Sequence, residues 1–158
     1  MITVSLFISM TLISIISFVL ISKKNNLLLL IFVFMCIEFL FTSFISVIVD
    51  NESLWKVSED PWQFLMFRVA EVIIFPLMLL WYLEIEGMLE TSTKRLVLKV
   101  IATFILMGIE RILVILDIMK YSKWQLWASF LTWILFLSIT IILGKIFRSL
   151  LQKEGITN

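Results

Sequence analysis

Histidine is absent from the chain, and cysteine occurs once, at Cys36. The first absence excludes a histidine-ligated metal site and any catalytic arrangement built on an imidazole base. The second excludes an intrachain disulfide, and a lone cysteine inside an apolar run behaves as a small hydrophobe. Glycine occurs four times and proline only twice, at Pro61 and Pro76. That leaves no glycine-rich loop to cradle a phosphate and no flexible linker between domains. Charge is sparse as well: 16% of the residues are ionised, with a net charge of +1. Such a chain lacks the basic surface that nucleic acid requires, so no nucleic-acid partner is expected. No metal and no other cofactor is expected either.

What the chain has is apolar length. Of its 158 residues, 61% are hydrophobic, and the mean hydropathy is +1.10. Soluble domains run near 45–50% apolar. The reading is therefore all-α: one integral membrane domain over residues 1–158, a polytopic bundle of five transmembrane helices. A span needs about 20 apolar residues, and five stretches supply them, at about 2–22, 27–49, 62–83, 96–118 and 124–147. The first run has no basic start and no small-residue cleavage site, which predicts a retained helix rather than a signal peptide. Ser5 with Ser9, and Ser14 with Ser17, have the spacing that lets helices approach closely. Lys23-Lys24-Asn25-Asn26 predicts a tight hinge into the second span.

The stretch Asp60–Glu86 is the most informative. Asp60, Pro61 and Gln63 read as an N-cap, a first-turn proline and a capping-box partner. Arg68, Glu71 and Pro76 then lie inside an otherwise apolar crossing. Pro76 frees the Val72 carbonyl, and a kink is expected there. Gly87 is expected to stop this helix. Ser122 with Gln125 reads as a second capping box, opening the last helix near Trp124.

Lysine and arginine sort by side. Eight of them (Lys23, Lys24, Lys94, Arg95, Lys99, Lys145, Arg148, Lys153) fall on one face of a five-span layout and three (Lys56, Lys120, Lys123) on the other. The positive-inside rule then puts the N-terminus outside and the C-terminus in the cytoplasm. Lys99 is expected to snorkel to the interface. Trp55, Trp62, Trp81, Tyr82, Trp124 and Trp127 fall near span ends, where interfacial aromatic anchors are expected.

Ionisable groups within a span are costly and turn toward protein or a water-filled cavity. Five are expected inside spans: Glu38, Arg68, Glu71, Glu110 and Arg111. At ~1.5 Å per helical residue they lie at similar depths, roughly 9–16 Å below the outer interface. They are expected to meet in one buried charged cluster. Glu38, Thr42 and Ser46 form a polar stripe, and Phe64, Arg68, Glu71 and Phe75 share a face. Glu110 and Arg111, being consecutive, point about 100° apart.

The run Glu71-Val-Ile-Ile-Phe-Pro76 with Trp81-Tyr82, then Glu110-Arg111, then Lys120-Tyr121-Ser-Lys-Trp124-Gln-Leu-Trp127-Ala-Ser129-Phe130, resembles a functionally uncharacterised family of small five-helix membrane proteins from endospore-forming bacteria. The resemblance implies a five-helix fold and a bacterial plasma-membrane setting. It brings no catalytic or binding residue.

Two functions are weighed. The first is a structural or partner-binding membrane component, not an enzyme, touching lipid and either another membrane protein or a second copy of itself. The second is a solute- or proton-binding transporter, or transporter subunit, using Glu38, Arg68, Glu71, Glu110 and Arg111 as the binding candidates.

Overall fold

The computed structural model describes residues 2–22 and 27–154. The predicted hinge Lys23–Asn26 lies outside the described residues, as do the side chains of Ser5 and Ser17. The described chain is mostly helical: α1 (Ile2–Ser22), α2 (Leu27–Ser46), α3 (Pro61–Val69), α4 (Phe75–Met88), α5 (Ser92–Ile115) and α6 (Leu126–Lys153). Among the described residues, three helical rods are long and apolar enough to cross a membrane: Leu27–Asn51, Pro61–Met88 and Leu126–Lys153. Large apolar side chains such as Phe39, Leu65, Ile115 and Leu135 stand open on the outside of the bundle. A soluble monomer rarely exposes contiguous apolar surface on that scale, whereas lipid accommodates it.

The rod Pro61–Met88 is the centre of the bundle. Its most apolar stretch is 56% buried, against 33% and 28% for the other two rods. Within it, α4 packs on α1, α2, α5 and α6, while α6 also packs on α2 and α5. The rod changes geometry where Pro76 demands it. A π-helical turn, Ala70–Ile74, joins α3 to α4, and the Phe75 N–H reaches back to the Ala70 carbonyl. Proline removes one ladder donor and crowds the carbonyl four residues earlier, and a wide turn makes room for it. A second π turn, Val47–Asn51, extends α2.

The core is aromatic. Trp133 stacks on Phe41 at 5.6 Å and lies tilted against Phe75 at 4.8 Å, and Phe41 meets Phe136 edge-on at 5.2 Å. α4 and α6 approach closely at Gly144, where an added Cβ would lie 2.7 Å from Leu83 Cδ1.

Several local expectations need correction. The connections after α2 and after α5, which lie between the expected spans, pair as a two-stranded antiparallel ribbon: β1 (Trp55–Val57) against β2 (Met119–Tyr121), with Lys56 opposite Lys120. Both loops therefore sit at the same end of the bundle. The ribbon is reached through two left-handed residues, Ser53 and Asp117. Asp117 closes α5: its N–H bonds the Val114 carbonyl at 3.1 Å, and the Ile118 N–H bonds the Leu113 carbonyl at 3.0 Å. That is the Schellman arrangement, with aspartate where glycine is usual.

At the start of α3, Asp60 caps as expected, its Oδ1 accepting from the Trp62 N–H at 3.2 Å. Gln63 does not complete the box. Its Oε1 takes the Ser58 hydroxyl, and Ser58 Oγ in turn accepts from the Asp60 N–H at 3.2 Å. The second box fails: α6 starts at Leu126, its N-cap Gln125 makes no side-chain cap, and the Ser122 N–H donates instead to the Leu54 carbonyl at 2.8 Å. Gly87 does not stop α4, which runs on to Met88.

Candidate functional site

The polar stripe on α2 forms as its four-residue spacing dictates. The Thr42 hydroxyl donates to Glu38 Oε1 at 3.1 Å, and the Ser46 hydroxyl donates to Asp50 Oδ2 at 2.9 Å. The π turn at the end of α2 carries Asp50 into the stripe. Across from it, Arg68 on α3 donates through Nη1 to Glu71 Oε2 at 2.7 Å. The guanidinium also lies 5.1 Å from the centre of the Phe64 ring. The two partners differ sharply in exposure: the Arg68 side chain is 48% exposed and that of Glu71 is 1% exposed.

Glu71 sits in the π turn, facing α2. Glu38 is a charged neighbour across the helix interface, and Thr42 lies beside it. Yet among the described residues no donor reaches Glu71 Oε1 in hydrogen-bonding geometry. Beside Arg68 a cleft of about 190 Å³ lies between α2 and α3; the polar side chains Thr42, Ser46, Asp50 and Arg68 share its wall with Phe64, Phe67 and the aliphatic Ile45, Val49 and Val57.

A second polar group lies where α5, β2 and α6 meet. The Glu110 carboxylate is buried, and both of its oxygens accept hydrogen bonds. Its Oε1 accepts from the Tyr121 hydroxyl at 2.5 Å and the Ser129 hydroxyl at 2.7 Å, and its Oε2 accepts from Trp133 Nε1 at 2.6 Å. Ser129 Oγ also accepts from Trp124 Nε1 at 2.7 Å. Three donors, one from a ribbon strand and two from α6, replace the water that this carboxylate would otherwise have. Arg111 turns the other way and covers the Tyr121 ring at 4.9 Å. Burial, then the Glu110 bond and charge, push the Tyr121 hydroxyl above its ordinary value.

The five ionisable residues expected inside spans thus do not pool in one cluster. Glu38, Arg68 and Glu71 come together, while Glu110 and Arg111 belong to a separate network. The reason is packing: α5 lies on α4 and α6, whereas the first group straddles α2 and the start of the central rod. Lys99 is a further correction. It does not snorkel outward but donates to Ser138 Oγ on α6 at 2.8 Å.

The aromatic anchors divide too. Trp62 and Trp127 are exposed, and Trp81 and Trp124 are half-buried. Trp55 and Tyr82 are buried in protein, contrary to their expected interfacial place. Trp55 meets Trp124 edge-on at 5.5 Å because the ribbon folds it inward over the bundle end.

Tyr121 and Trp133 were not legible as polar partners, and Ser129 was legible only as a small contact residue. Their one signal is the four-residue spacing of Ser129 and Trp133, which puts both on one face of α6. A third polar group, at the opposite end of the bundle, was also missed. Glu84 and Glu86 are buried there, Glu86 lies 3.7 Å from Arg95, and Arg148 is the opposing charge nearest in effect to Glu84. No family model, curated protein or solved structure matches the chain.

Proposed function

We propose that the chain is a five-crossing protein of a bacterial plasma membrane, with its N-terminus outside and its C-terminus in the cytoplasm. In this reading it is a structural, partner-binding membrane component rather than an enzyme. The observation that carries the reading is Glu110. An intramembrane carboxylate is a functional candidate by default, but this one has spent its acceptors on Tyr121, Ser129 and Trp133 of its own chain. It fastens the ribbon and α6 to α5. Meanwhile the outer faces of the helices are apolar and open, which suits a neighbouring helix as well as lipid. The α1–α3 side adds an apolar groove of about 300 Å³ that includes Phe7, Leu12, Leu65 and Met66.

Cross-linking in native membrane followed by purification tests this. A stoichiometric protein partner, or a homo-oligomer, is expected. Recovery of a monomer with no cross-linked protein would contradict it.

One observation favours a second reading, solute or proton binding. Glu71 is buried and paired with Arg68, whose side chain lines the cleft between α2 and α3. Flux in proteoliposomes that is lost on Glu38→Gln supports it, and flux unchanged in that variant removes Glu38 from the role.

A further inference from the structure

The cleft between α2 and α3 has acceptors on one side and a donor on the other. From α2 and its π turn come Thr42, Ser46 and Asp50. The Thr42 and Ser46 hydroxyls commit their protons to Glu38 and Asp50, so their oxygens are left to a ligand as acceptors. Asp50 takes the Ser46 bond and enters no ion pair among the described residues. From α3 comes Arg68. Glu71 holds its guanidinium through Nη1 from the buried side, yet the Arg68 side chain is 48% exposed, and a guanidinium has further N–H groups to donate. Asp50 and Arg68 thus bring opposite charges to one cleft without pairing with each other. The rest of the wall is apolar, Phe64 and Phe67 included.

This polarity selects a ligand. A lone anion is drawn to Arg68 and repelled by Asp50, and a lone cation meets the reverse. A hydrocarbon would leave both charges and the hydroxyls without partners. A molecule with an ammonium and an oxyanion a few bonds apart gains at both ends through charge-assisted hydrogen bonds. Size narrows the class: drug-sized ligands occupy pockets of about 300–1,000 Å³, and this cleft is near 190 Å³. We propose that the cleft binds a small zwitterion, its ammonium on Asp50 and the α2 hydroxyl oxygens, its oxyanion on Arg68, and a short apolar substituent against Phe64 and Phe67. The inference rests on the solute-binding reading and names its substrate class. Two sources share this chemistry, a free amino acid and the headgroup of an aminophospholipid.

The test uses the full chain purified in an uncharged detergent, with thermal unfolding followed in alanine, valine, glycerophosphoethanolamine, ethylammonium chloride or sodium acetate at matched ionic strength. A ligand that binds only the folded state raises Tm by mass action, and occupancy of one site gives a saturable dependence. A saturable rise with a zwitterion, absent with ethylammonium and acetate, is expected. A rise with the amino acids alone identifies a free solute, and a rise with glycerophosphoethanolamine alone identifies a lipid headgroup. Asp50→Asn should move half-saturation at least about tenfold upward. It leaves Arg68 unopposed in the cleft, so acetate should then raise Tm, which a purely structural role for Asp50 does not produce. Arg68→Gln should likewise abolish the zwitterion response. That variant breaks the pair with buried Glu71 and risks the fold, whereas Asp50 is exposed and has the Ser46 bond to lose. A saturable rise with acetate or ethylammonium in the native protein would overturn the zwitterion assignment and leave solute binding standing. No saturable rise with any probe would overturn the site, while flux through Glu38 is judged separately in proteoliposomes. A zwitterion response unchanged in Asp50→Asn would overturn its placement in this cleft.

Discussion

Glu110 is a carboxylate whose stability inside the bundle depends wholly on three side-chain donors, and each donor has a sequence address far from it. Hydrogen bonds to charged groups contribute about 1.5–3 kcal/mol each. Tyr121→Phe is expected to lower stability by about that much. Glu110→Gln should lower it by at least as much, because an amide N–H would then face a donor. The double variant should lose less than the sum, since both changes break the same bond. Denaturant or thermal unfolding in detergent measures all three. Tyr121 adds a pH signature. Its hydroxyl is held above the ordinary value of 10.0 by burial first and then by Glu110. The folded chain therefore keeps that proton where the unfolded chain releases it. This contribution is full below about pH 10 and is lost as pH rises beyond it. A plot of Tm against pH should fall more steeply above pH 10 in the native protein than in Tyr121→Phe. At this scale the sequence was readable where one helix supplied both partners. Glu38, Thr42 and Ser46 announced themselves by spacing, and so did Arg68 with Glu71. Trp133 did not, because nothing local separates a tryptophan that donates to a distant carboxylate from one that only fills space.

Among the elements, the central rod and α6 set the spacing of the bundle through Gly144. A methyl group there meets Leu83, so Gly144→Ala should cost about 1–3 kcal/mol. Adding Leu83→Ala should recover part of that loss, which thermal unfolding of the single and double variants will show. Asp117 offers the opposite sign. It holds a left-handed position that glycine adopts without strain, and its ion pair with Lys120 is exposed on both sides. Asp117→Gly should therefore raise stability by up to about 1 kcal/mol. Pro76 was legible as a disruption, since its missing N–H is a fact of covalent structure. The form of the disruption was not, because whether a rod kinks or widens into a π turn depends on what packs around it. The ribbon escaped reading altogether. Two strands of three residues carry no periodicity of their own, and they exist because α2, α3, α5 and α6 bring two connections to one end of the bundle.

For the whole molecule, a mostly helical chain with rods apolar enough to cross a membrane was legible from apolar length. The division of the ionisable residues between two sites was not legible, because depth along a span says nothing about which neighbours surround it. The account as a whole stands on layout. The ribbon loops share one end of the bundle, and the proposal places that end outside, with the turn between α4 and α5 and the end of α6 in the cytoplasm. The most direct measurement is labelling of single cysteines in intact cells with a membrane-impermeant thiol reagent, in a background carrying Cys36→Ala. Cysteines introduced at Lys56 and at Lys120 should both react from outside, while those at Lys94 and Lys153 should react only after permeabilisation. Labelling of Lys56 and Lys120 positions from opposite sides, or of Lys94 from the outside, would contradict it.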